Sequence, residues 1–150
     1  MWWFLLLKTV HVLSAIAAVG ANLTYGAWSA RGGRDAEHLG FVLRGIKFVD
    51  DRIANPAYGL LLVTGLLMAF LVYSITTTWI LIGLGIFIAM AVGGAAGYGP
   101  TLKRQIETLD RDGPKSAAYL AVQSRATGIG MFLGVLAVAA VFVMVFKPAA

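Results

Sequence analysis

The chain has 150 residues, 59% of them hydrophobic and 13% charged, with a net charge of +5. Water-soluble domains carry about 25% charged residues, so this composition, with a mean hydropathy of +0.82, belongs in lipid. There is no cysteine, which excludes disulfides, thiolate metal sites and catalytic thiols.

A spanning helix needs about 20 apolar residues, and four stretches qualify. The first covers about residues 3–29 and should close at Arg31-Gly32-Gly33, where glycine can take a left-handed cap. Its apolar run outlasts a signal peptide and has no clear cleavage site, so a retained helix is expected. Residues 35–53 mix Phe41, Val42, Ile46, Val49 and Ile53 with Arg44, Lys47, Asp50 and Asp51. That spacing predicts an amphipathic helix lying on the membrane surface. The second span, about 56–73, should begin at Asn55-Pro56, with Asn as N-cap and Pro at the first helical position. A third covers about 78–98, and Gly99-Pro100 should kink or end it. Residues 101–111 alternate Leu102, Ile106 and Leu109 with Lys103, Arg104 and Glu107, a second short amphipathic helix. "DRDGP" (110–114) then reads as a turn, and the last span has its apolar part at 126–146.

The expected fold is all-α: a single transmembrane domain of four helices in an antiparallel bundle, with short cytoplasmic amphipathic helices. Arg31, Arg34, Arg44, Lys47 and Arg52 fall between the first two spans, and Lys103, Arg104, Arg111, Lys115 and Arg125 between the last two. The intervening "SITTTW" (74–79) has no basic residue. Positive-inside bias therefore predicts both basic segments in the cytoplasm and both termini outside. That bias explains the net charge better than nucleic-acid binding does. Trp2, Trp3 and Trp79 would form the outer aromatic belt, with Trp28, Tyr58 and Tyr119 near the inner one. Gly93-x-x-x-Gly97 and Gly130-x-x-x-Gly134 permit close backbone approach, either between helices of one chain or across a homodimer.

On the first helix, Lys8, His11, Ser14, Asn22, Tyr25 and Ser29 share about one third of the circumference. Polar groups at membrane depth face protein or water rather than lipid, so this stripe should face the bundle. Lys8 can snorkel to the outer surface. For His11 two roles stand open: an interhelical hydrogen bond, or an axial bond to haem b. His38, the other histidine, is too far along the chain to be its partner in a bis-histidine site. Ligation would be by His11 alone, or by His11 with Met68, Met144 or a residue of another subunit. Another polar group, Asn55, Tyr58, Tyr98, Gln123 and Arg125, gathers near the inner side. It fits either a lipid headgroup or anionic ligand, or ordinary interfacial anchoring. The spans hold no acidic residue, which disfavours a proton-coupled transporter. No nucleotide-binding, hydrolase-elbow or zinc-protease motif is present, and no residue stands out as catalytic.

"LLLKTVHVLSAIAAVGAN" resembles the opening of the bacterial membrane-protein family called domain of unknown function 2269, which begins with a similar Leu-Leu-Lys-x-x-His pattern. "NPAYGLLLVTGLLMA" (55–69) is similar to that family's second helix, where Thr-Gly recurs in an apolar run. The motifs cover the first two helices, and the layout covers most of the chain. More distantly, the first helix is similar to the membrane-embedded protoporphyrinogen oxidase and copper resistance protein D group. That likeness implies His11 as a haem contact. Other signatures of the oxidase are missing, so its activity is not implied. The resulting expectation is a multi-pass protein of a bacterial cytoplasmic membrane, in contact with the bilayer. Its leading role is a non-enzymatic structural or accessory component, as a homo-oligomer or within a larger complex. A haem-binding redox protein is the alternative, and a small transporter or channel the third.

Overall fold

The computed structural model describes residues 2–148. It is helical throughout, with no strand among those residues. The helices are α1 (Trp2–Gly32), α2 (Leu39–Val49), α3 (Asn55–Leu71), α4 (Thr78–Val92), α5 (Gly99–Asp112) and α6 (Ala117–Phe146). Four continuous helical rods among the described residues are long and apolar enough to cross a membrane: Trp2–Gly32, Leu39–Leu71, Thr78–Asp112 and Ala117–Phe146.

The two middle rods correct the expected breaks. α2 does not stop before Asn55-Pro56, and Asn55 is not an N-cap, because Ala54 before it is already helical. A π-turn at Asp50–Ala54 joins α2 to α3, closed by the Asn55 N–H donating to the Asp50 carbonyl. The same device recurs at Gly93–Tyr98, where the Gly99 N–H donates to the Gly94 carbonyl ahead of Pro100. Proline lacks an N–H and its ring crowds the carbonyl four residues back. A widened turn just upstream moves that carbonyl aside, so each rod passes its proline without ending.

α1 also ends differently from expectation. Gly113 is the one glycine with positive φ among the described residues, so neither Gly32 nor Gly33 supplies a left-handed cap. The helix tightens instead, with Arg34 N–H donating to the Arg31 carbonyl and Asp35 N–H to Gly32. Gly32 serves close approach, since a Cβ there would lie 3.0 Å from Val42 Cγ1. α6 starts at the predicted turn, where the Ser116 hydroxyl accepts from the Tyr119 N–H. It closes on Lys147, itself at a φ of 47°.

α1 packs along α3 on one side and α6 on the other, and α6 also carries α4 and α5. The start of α1, the end of α3, the start of α4 and the end of α6 meet at one end. There Phe4 abuts Tyr73, Tyr73 abuts Trp79, and Lys147 Nζ sits 5.5 and 5.2 Å over the Tyr73 and Trp79 rings. Trp79, expected in an exposed belt, is buried by these contacts, whereas Trp2 is exposed.

At the opposite, basic end, α2 and α5 are not laid flat as separate surface helices. They continue their spans and pack on each other, on α1 and on α6. Their shared core is Leu39, Leu43, Ile46 and Leu102 with Tyr25, Tyr98, Tyr119 and Leu133. Burying a Leu from water is worth about 1.5–3 kcal/mol, so this head is where the hydrophobic effect acts most. Tyr119 belongs to that core rather than to a membrane belt, and accepts a hydrogen bond from Gln105 at 3.2 Å. Arg44 and Asp110 add a 3.2 Å ion pair across α2 and α5, exposed and worth about 0–1 kcal/mol.

Candidate functional site

The polar face of α1 supplies the side chains, and its neighbours decide what each can do. Lys8 is exposed near the aromatic end. His11 and Ser14 lie a turn deeper, with Ser14 buried. His11 Nδ1 is 2.9 Å from Thr64 Oγ1 on α3. The ring fits there because residue 65 is glycine: a Cβ on Gly65 would lie 3.0 Å from His11 Cε1.

Proton accounting fixes the roles in this pair. Thr64 Oγ1 lies 2.6 Å from the Leu60 carbonyl, which can only accept, so the single hydroxyl proton goes to Leu60. Thr64 must then accept from His11, and Nδ1 carries the ring proton. The lone pair is left on Nε2. A hydrogen bond on one ring nitrogen that sets the state of the other is the usual way a protein orients an imidazole ligand.

Three turns beyond His11, Asn22 Nδ2 donates to the Tyr58 hydroxyl at 2.6 Å and to the Ala18 carbonyl at 3.0 Å. The Tyr25 hydroxyl donates to Asp50 Oδ1 at 3.4 Å. Tyr25 and Tyr98 stack in parallel, 6.1 Å between centroids and 4° between planes. Each π-turn thus contributes one residue here, Asp50 from the first and Tyr98 from the second. Three tyrosines and Asn22 surround a carboxylate at the edge of the apolar zone.

The other residues anticipated on this side do not all join. Asn55 is exposed. Gln123 lies against Gly33, its Nε2 3.7 Å from where a Cβ on Gly33 would stand. Arg125 faces a separate concavity between α5 and α6. Of the two methionines considered beside His11, Met68 is buried on α3. Met144 Cε fills the space above Gly83 on α4. His38 is at the far end of α1, its Nδ1 2.8 Å from Asp35. That contact holds the Asp35 carboxyl below its ordinary range. Among the described residues no three of His, Asp and Glu converge as a metal site would require.

Two participants escaped the sequence reading. Thr64 stands out as a hydroxyl in "LLLVTGLLMA", yet only depth matching along two helices would have paired it with His11. Asp50 is invisible to a 3.6-residue count, because the π-turn that carries it changes which way the following residues face.

The sequence profile of the family described as predicted integral membrane protein (DUF2269) matches residues 5–148. No curated protein and no solved structure matches the chain significantly. The likeness to the oxidase and copper-resistance group therefore rests on the first-helix pattern alone.

Proposed function

Because the chain belongs to this family of predicted integral membrane proteins, we propose that it is a non-catalytic, accessory component of a bacterial cytoplasmic membrane assembly. The observation that carries this reading is the use made of the polar stripe. His11, Asn22 and Tyr25 each bond a side chain outside α1: Thr64, Tyr58 and Asp50. No buried side-chain donor or acceptor among the described residues lacks a partner. Three stripe residues bonded to other helical segments support a structural role for them. Solubilised gently from its native membrane, the protein should be colourless and migrate with stoichiometric subunits, its own copies or others. A monomeric protein with a Soret band would overturn the reading.

A second reading, a haem b protein, is favoured by one observation: the 2.9 Å contact of His11 Nδ1 with Thr64 Oγ1. With Nδ1 donating to Thr64, Nε2 has the lone pair that axial ligation uses. Bound there, haem would supply one-electron exchange, and Thr64 would hold the ring in orientation. The chain offers one imidazole at that depth, so a second axial ligand would come from Met68 or another subunit.

A further inference from the structure

We propose that the concavity between α5 and α6 binds the phosphate headgroup of an anionic phospholipid. It encloses about 290 Å³ and is lined by Arg104 from α5 and Arg125 from α6, with Ala96, Thr101 and Ala121 among the remaining walls.

Charge is the first argument. At this end of the molecule four cations are paired with acids: Arg44 with Asp110, Lys47 with Asp51, Lys103 with Glu107 and Arg111 with Asp112. Arg31, Arg34, Arg52 and Lys115 are in no ion pair among the described residues but do not line this hollow. Arg104 and Arg125 form no ion pair among the described residues, although Arg104 neighbours Lys103 and lies three residues from Glu107. Two arginines lining one hollow with no acid among its walls leave it positively charged, which favours an anion there. Guanidinium is also the side chain whose planar fork best matches phosphate oxygens.

Shape and position supply the second. Ala96 and Ala121 leave the hollow open where longer side chains would close it. Arg125 immediately precedes the apolar part of α6, which places the hollow at the membrane edge. Toward the apolar zone lie Val92, just before the π-turn that carries Ala96, and Phe132, seven residues from Arg125 on the same face of α6. These are 60% and 59% exposed. A headgroup in the hollow thus has an uncovered apolar path for its acyl chains, which a free phosphate would not use. Thr101 closes the base of the hollow, its hydroxyl donating to the Gly97 carbonyl at 2.7 Å.

The test uses the full chain in neutral detergent, titrated with phosphatidylglycerol, phosphatidylcholine or inorganic phosphate, with binding read by native mass spectrometry and by Tm. Phosphatidylglycerol should bind and raise Tm, phosphatidylcholine should not, and phosphate alone should do so only weakly. Arg104→Gln and Arg125→Gln should each weaken phosphatidylglycerol binding about tenfold. The pair Arg31→Gln/Arg34→Gln, on the same end but outside the hollow, should leave it unchanged. Ala121→Phe keeps both charges and fills the space, and should also abolish the Tm response. Because Arg104, Arg125 and Ala121 are exposed, the variants should melt like the parent in phosphatidylcholine. Equal binding of the two lipids overturns the proposal. So does equal loss in the Arg31/Arg34 pair, which would mean diffuse attraction, or saturation by inorganic phosphate at the lipid's affinity.

Discussion

His11 combines two readings in one side chain, and two substitutions separate them. His11→Gln offers comparable donors and acceptors and should keep most of the stability through Thr64. His11→Leu should cost about 1 kcal/mol, since interhelical hydrogen bonds in membranes average about 0.6 and rarely exceed 2. Unfolding in mixed micelles reads both. If haem is bound, the two variants should lose its spectrum alike, because neither supplies an imidazole nitrogen. Thr64→Val removes both the acceptor for His11 and the hydroxyl's bond to the Leu60 carbonyl, and leaves an imidazole N–H without that partner. It should therefore cost at least as much stability as His11→Leu, while shifting any Soret band. That Lys8, His11, Asn22 and Tyr25 share one face of α1 was legible from spacing alone, though along it Tyr25 is buried, His11 and Asn22 are half-buried and Lys8 is exposed. Their partners were not, because Thr64 and Tyr58 become neighbours only when the depth of α3 beside α1 is known.

The helices themselves were largely written in the apolar runs, and what was missed clusters at the two prolines. Asn55-Pro56 and Gly99-Pro100 carry the residues that usually start or stop a helix, so local rules place a boundary there. A π-turn defeats that inference because it spends one extra residue to keep the hydrogen-bonded rod intact. Glycine spacing was similarly half legible. A Cβ on Gly93 would meet Leu133 at 2.8 Å, and one on Gly97 would meet Ile129 at 3.6 Å, so this face does pack on α6. Around Gly134 nothing lies within 4 Å, which corrects the expectation that both members of its pair mark a close contact. Gly93→Leu should thus destabilise by about 1–3 kcal/mol, the scale of overpacking. Gly134→Leu should melt within error of the parent. Equal losses in the two would mean that a further surface covers Gly134, as in a homodimer.

For the whole molecule, charge divides the ends, with Lys8 and Lys147 alone of the twelve lysines and arginines away from the basic head. The basic head of α2 and α5 should lie in the cytoplasm and the Tyr73–Trp79–Lys147 cluster outside. Cysteines introduced in turn at Thr77 and Gly113 should therefore react with impermeant maleimide from opposite sides, Thr77 in intact cells and Gly113 only after lysis. Reaction of both on one side would contradict the four crossings. Composition announced a membrane protein, but the packed head was hidden, because Leu39, Leu43 and Leu102 point inward while Phe41 and Phe48 stay exposed. An amphipathic pattern does not say whether its apolar side meets lipid or a neighbouring helix. The joined rods also have a mechanical meaning. At ~1.5 Å per residue, a rod of 33 residues is about 50 Å long, against a hydrocarbon layer of about 30 Å. About 20 Å of rod, α2 and the π-turn beneath it, thus extends past the hydrocarbon into the headgroup layer, and its counterpart α5 is braced against it. A sideways load on those arms is carried down to their fulcrums, the two π-turns, where Asp50 and Tyr98 meet Tyr25.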